Sequence, residues 1–262
     1  TEQLQIRIHG DASLPALVYL PGLHGDWTLV TSFRLAVAGH VRFVEFTYPR
    51  TLTWSLDDYA DATKHCLLEY GITHGWLLGE SFGSQIVWPM AAGTGAGFQT
   101  EGIILAGGFV KHPVRGAVRL AGRFCGDVPL TWVTRFLFFY ARFARFRHRH
   151  APETLASIQE FVARRTELDK QAATHRLHLL ADSDPRPVVQ RLTVPVYCLS
   201  GFWDPIVPWP WVRAWLERHC PGHRASKIIW QADHTVLATA PKAAANQILA
   251  WGRAAENKND SG

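Results

Sequence analysis

The sequence predicts an α/β fold, a mainly parallel central sheet flanked by helices, with a helical insertion. Three observations predict it. Short apolar runs alternate with helix-patterned segments through residues 4–109 and again through 192–255, the rhythm of repeated strand–helix–strand units. Most of those runs are continuously apolar, as suits strands covered on both faces. Between them, residues 110–190 are helical in character and contain no convincing strand.

Residues 4–8 (Leu-Gln-Ile-Arg-Ile) alternate apolar and polar, the pattern of an edge strand. Residues 17–20 form a buried strand that runs into Pro21-Gly22, and residues 41–48 form a strand that stops at Pro49. Residues 56–70 carry apolar or small residues at helical spacing and stop at Gly71. Strand 76–78 leads through a glycine-flanked turn into helix 86–92, where Pro89 predicts a kink or a break. Strands follow at 102–106, 194–200 and 226–231, with helices near 209–219 and 241–255. The expected organisation is a core of residues 1–109 and 190–262 with a helical cap, 110–189, inserted in it. The polar tail after Trp251 is expected to be disordered.

Composition narrows the function. Of 262 residues, 47% are hydrophobic and 19% charged, which excludes an intrinsically disordered chain. The net charge of +5 is uneven: residues 111–150 carry nine Lys or Arg against one acidic residue, Asp127. Arg115, Arg119 and Arg123 share one helix face there, and Arg142, Arg145 and Arg149 share another, with Phe138, Phe139, Phe143 and Phe146 mainly elsewhere. Such a basic amphipathic surface is expected to be a solvated face, with peripheral contact to an anionic lipid surface as the alternative. No motif that reads bases accompanies the charge, so no nucleic-acid partner is expected. Cys66, Cys125, Cys198 and Cys220 form no C-x-x-C pair and are expected to be reduced structural thiols. No apolar run approaches the length of a membrane span and no leader-like segment opens the sequence, so a cytoplasmic protein is expected. His175 and His178, three apart, are too few ligands for a metal site, and no metal is expected.

One segment carries chemistry by itself. Gly79-Glu80-Ser81-Phe82-Gly83 sits between a strand and a helix. A turn this tight strains the backbone of its central residue and needs small neighbours, and it lifts the Ser81 hydroxyl to a helix N-terminus. Serine attacks a carbonyl only when a base takes its proton. His234, in Ala232-Asp233-His234-Thr235, follows a strand and so stands where α/β sites form. Asp204, in Gly201-Phe-Trp-Asp-Pro-Ile-Val-Pro208, also follows a strand and is the candidate to orient that histidine. Asp233 is too close in the chain to face His234, and Glu80 is expected to be structural. Backbone N–H groups of Leu23, in the loop Pro21-Gly22-Leu23-His24-Gly25, and of Phe82 are the candidate oxyanion donors. Trp88, Trp203 and Ile206, with Phe82, are candidate walls of an apolar substrate pocket.

Together these segments resemble the α/β-hydrolase superfamily. Pro-Gly-Leu-His-Gly resembles its oxyanion loop, with Pro21 in place of the usual histidine, and Gly-Glu-Ser-Phe-Gly matches its nucleophile elbow. Gly-Phe-Trp-Asp-Pro-Ile-Val-Pro resembles its acid loop. Ser81, Asp204 and His234 occur in the superfamily's chain order. The resemblance covers about residues 4–109 and 192–255 and does not extend to the cap. It implies a cofactor-free Ser-His-Asp mechanism but does not by itself fix the substrate; a small-molecule carboxylic ester is the expected one. Thioesterase, acyltransferase, carbon–carbon bond hydrolase and perhydrolase activities share that machinery and stay open, as does a non-catalytic binding protein on the same scaffold.

Overall fold

Side-chain parity builds the sheet. Along residues 16–20, Val18 and Leu20 join one buried cluster while Leu17 and Tyr19 join another. Leu77 and Leu78 divide in the same way, as do Ile103 and Ile104. Successive side chains of a strand point to opposite faces, so a continuous apolar run means that both faces are covered. Each large apolar side chain removed fully from water contributes about 1.5–3 kcal/mol before entropy is counted.

The computed structural model describes residues 3–93, 97–127 and 166–259. Seven strands are described: β1 (Gln5–His9), β2 (Ala16–Leu20), β3 (Arg42–Thr47), β4 (His74–Glu80), β5 (Gln99–Ala106), β6 (Val196–Gly201) and β7 (His223–Ile229). They form one sheet in the order β1-β3-β2-β4-β5-β6-β7. Only β1 is antiparallel to its neighbour; the other pairs run parallel. One face packs under α2 (Leu56–Glu69), α3 (Gly83–Ala92) and α7 (Trp209–His219), the other under α1 (Thr31–Val37) and α9 (Pro241–Asn259). Between β5 and β6 lie α4 (Arg115–Asp127), α5 (Glu167–Asp182) and the short α6 (Arg186–Val189). A four-residue turn of helix, α8 (Val236–Thr239), follows β7.

Local signals explain the boundaries. Ser55 caps α2 and exchanges hydrogen bonds with Asp58, and Thr166 and Asp169 do the same for α5. Pro89 does not break the helix: α3 runs through it to Ala92. The expected disorder after Trp251 is corrected, because α9 continues to Asn259. The apolar stripe Ala244, Ile248 and Trp251 anchors that helix, and the good helix formers Ala254 and Ala255 extend it. The stretch with Arg142, Arg145 and Arg149 and its phenylalanines lies outside the described residues, as does the side chain of Cys125. Cys66, Cys198 and Cys220 are unpaired thiols, and burial pushes Cys198 up to about 11. Among the described residues no helix is long and apolar enough to cross a membrane.

The chain leaves β2 for β3 on one side and reaches β4 on the other. A crevice opens at such a reversal, at the carboxyl ends of the strands. Close backbone packing fixes the strand ends there. A Cβ on Gly201 would lie 2.0 Å from the Asp233 carbonyl oxygen, backbone against backbone. Gly201→Ala is therefore expected to cost about 3 kcal/mol. Gly252→Ala, where a Cβ meets nothing within 4 Å, is expected to stabilise by about 0.4–1 kcal/mol. Urea unfolding of the two variants beside the parent checks both signs.

Candidate functional site

Ser81 has φ 48°, the one non-glycine with positive φ among the described residues. That conformation costs an L-residue roughly 1–2 kcal/mol, so its surroundings must impose it. A Cβ on Gly83 would lie 2.1 Å from the Leu20 carbonyl oxygen, and one on Gly79 would lie 2.9 Å from the Ser84 backbone nitrogen. Both glycines are required by contact. The Ser81 N–H donates to the Ala106 carbonyl at 3.1 Å, tying the turn to the end of β5. The Ser84 hydroxyl, 2.6 Å from the Ser81 carbonyl oxygen, also accepts the Phe109 N–H.

The structure brings Ser81, His234 and Asp204 together. His234 Nε2 is 2.8 Å from Ser81 Oγ, and its Nδ1 is 2.8 Å from Asp204 Oδ2. The other carboxylate oxygen of Asp204 accepts the N–H groups of Ile206 at 2.8 Å and Val207 at 2.9 Å. The Asp204 side chain is 1% exposed and the His234 side chain 12%. A carboxylate oxygen is only an acceptor, so Nδ1 carries its hydrogen and Nε2 is left to accept from Ser81. Asp233 does not share this chain; it accepts the N–H and hydroxyl of Thr235, shaping the turn that presents His234. A Cβ on Gly107, at φ +56°, would lie 2.5 Å from the His234 carbonyl oxygen, which fixes the same turn from the β5 side.

Glu80 lies beneath the elbow and is buried. The Tyr19 hydroxyl donates to it at 2.5 Å. Burial, and then the adjacent Glu80 carboxylate, holds the Tyr19 phenol well above its usual range, so it stays a donor. The loop after β2 is fixed by the Gly25 N–H on the Gly22 carbonyl and the Tyr48 hydroxyl on the Pro21 carbonyl. Arg176 of α5, 3% exposed, adds donations to the carbonyls of Leu23 at 3.0 Å and Pro49 at 3.2 Å. Its guanidinium occupies the place a Cβ on Gly25 would take. None of these bonds uses the Leu23 N–H.

A cavity of about 170 Å³ opens beside Ser81. Leu23, Ile206 and His234 line it as the sequence suggested, but Phe109, His112, Val118, Leu177 and Leu180 line it as well and were not foreseen. Three pocket expectations are corrected. Trp88 is fully buried in the core and donates to the Phe109 carbonyl at 3.3 Å. It lies two helical turns past Ser81, where α3 turns its side chain toward the sheet. Trp203 is 60% exposed and packs on Phe202, away from the cavity. The Phe82 side chain is also in the core, against Tyr48 and Tyr59, while its backbone stands at the N-cap of α3. His175 and His178 do not converge: His175 Nε2 is 2.8 Å from the Trp54 carbonyl, and the His178 ring lies against Gly122.

No family model and no curated protein matches the sequence. Solved structures do match in shape. A hydrolase from Pseudomonas aeruginosa is 16% identical with a TM-score of 0.77, covering 94% of this chain and 93% of its own. An esterase from Exiguobacterium antarcticum is 13% identical with a TM-score of 0.76, covering 95% and 94%. An enol-lactonase from Burkholderia xenovorans is 17% identical with a TM-score of 0.77, covering 94% and 95%. The chain has the α/β-hydrolase fold.

Proposed function

We propose that this protein is a serine hydrolase that cleaves carboxylic esters of small molecules through an acyl-enzyme. The observation that carries the reading is the unbroken hydrogen-bond chain from Ser81 through His234 to Asp204, at 2.8 Å in both links. His234 takes the Ser81 proton as Oγ attacks the ester carbonyl, then gives it to the departing alcohol. Asp204 holds the imidazole in the required tautomer and balances its charge in the transition state. The N–H groups of Leu23 and Phe82 receive the oxyanion. Water, activated by His234, then frees the acid and restores Ser81. No step needs a metal or an organic cofactor. The apolar walls from Val118, Leu177 and Leu180 suit an uncharged ester and exclude bulk water from the acyl-enzyme.

Reaction with a fluorophosphonate tests the reading directly. The expected result is one phosphonyl group per chain, mapped to the peptide containing Ser81, with parallel loss of p-nitrophenyl ester turnover. Label elsewhere, or saturable ligand binding with no turnover across an ester panel, would overturn it. Product analysis with water, alcohol and peroxide as competing acceptors fixes the physiological half-reaction among hydrolysis, acyl transfer and perhydrolysis.

A further inference from the structure

His112 is a buried titratable side chain in the cavity wall to which the mechanism gives no task. It is 5% exposed, stands just after β5, and packs edge-on against Phe109 with ring centres 4.9 Å apart. Its Nδ1 accepts the Val114 N–H at 3.2 Å. A neutral imidazole that accepts at Nδ1 carries its hydrogen on Nε2. That nitrogen is buried and has no hydrogen-bond partner among the described residues. The backbone of Ile206 lies beside the ring. Burial, and then the neighbouring His234, holds the His112 pKa below its usual range, so the neutral form prevails at pH 7. The ring also forms part of a separate hollow lined by Lys111 and Trp211. It also lines the Ser81 cavity, together with Ile206 and His234.

A buried donor left unpaired is costly, and Phe109, Val118, Leu177, Leu180 and Ile206 give the same cavity a largely apolar wall. Resting on the Ser81 reading, we propose that His112 is a specificity-determining residue whose Nε2–H donates to a second oxygen of the substrate. The preferred substrates are then esters with an ether, hydroxyl or keto oxygen close to the scissile bond, over all-carbon esters of the same length. Substrates without that oxygen leave the donor unpaired, while those with it give it an acceptor.

Isosteric substrate pairs test this. On the acyl side the pair is p-nitrophenyl pentanoate and the methoxypropanoate ester in which an ether oxygen replaces one methylene. On the alcohol side it is butyl acetate and methoxyethyl acetate. Each is measured with wild type, His112→Asn and His112→Gln, with thermal melting of all three. The Asn amide reaches the Nδ1 position and keeps the Val114 bond; the Gln amide reaches Nε2 and restores a donor. For one of the two pairs, the kcat/KM ratio of oxygenated to all-carbon ester is expected to fall at least about tenfold in His112→Asn. Turnover of the all-carbon partner should fall less than that of the oxygenated ester, and His112→Gln should recover part of the ratio. The arm that responds tells which half of the substrate holds the oxygen. Unchanged ratios in both arms, or equal loss on both members of a pair, would overturn the proposal and leave His112 as packing. Absence of turnover by the wild type on every ester would instead sink the Ser81 reading, and this one with it.

Discussion

Ser81→Ala is expected to lower kcat on p-nitrophenyl esters by about a million-fold, as loss of the nucleophile does in serine hydrolases. What survives is the smaller contribution of the oxyanion donors and of binding. The fold should not change. Alanine removes one oxygen, and the turn is imposed by contacts at Gly79 and Gly83 that do not involve the hydroxyl. The melting temperature should therefore stay within a few degrees. Ser81→Gly separates chemistry from strain. It also removes the hydroxyl, but it accepts φ 48° without the left-handed penalty. It should melt above Ser81→Ala by roughly 2–4 °C for each kcal/mol released. Steady-state kinetics and thermal unfolding of the three proteins check the pair of claims. Retained activity in either variant would remove Ser81 from the mechanism, and a Ser81→Gly less stable than Ser81→Ala would refute the strain account.

The parts of this site that could be read from sequence are those built by a few consecutive residues. The elbow is legible because glycines at 79 and 83 answer contacts within one turn and its adjoining strand. Asp204 and His234 are legible because each follows directly on an apolar run, and in a parallel sheet the carboxyl ends of β6 and β7 must lie together. The walls are different. Leu177, Leu180 and Arg176 sit on a helix about a hundred residues from Ser81 in sequence, and nothing local states which face of α5 meets the crevice. His112 reads as an ordinary loop histidine in Lys-His-Pro until the fold places its ring beside His234. Trp88 shows the opposite error. Nearness in sequence to the nucleophile suggested a pocket wall, whereas the helix had already carried its side chain into the core. Trp203, next to Asp204, fails for a similar reason, since adjacent residues at a strand end point to different sides.

Asp204→Asn should lower kcat by about ten-thousand-fold, and the loop around it explains why the amide cannot mimic the carboxylate. Asp204 accepts three hydrogen bonds, one from His234 Nδ1 and two from the N–H groups of Ile206 and Val207. An amide has one oxygen and one NH2. If the oxygen stays on the two backbone N–H groups, the NH2 faces Nδ1 and forces it to become the acceptor. The imidazole hydrogen then moves to Nε2 and points at Ser81, where it can take no proton. The flipped amide would set NH2 against both backbone donors, leaving the Ile206 and Val207 N–H groups without their acceptor. The loop therefore selects the inert tautomer. Asp204→Ala imposes no tautomer on His234 but strips the acceptor from Ile206 and Val207. It is expected to keep more activity than Asp204→Asn and to melt at a lower temperature. Nitrogen NMR of the His234 ring, with kinetics and melting of both variants, tests each link. Finding the Nδ1–H tautomer retained in an active Asp204→Asn protein would show that Asp204 does not orient His234.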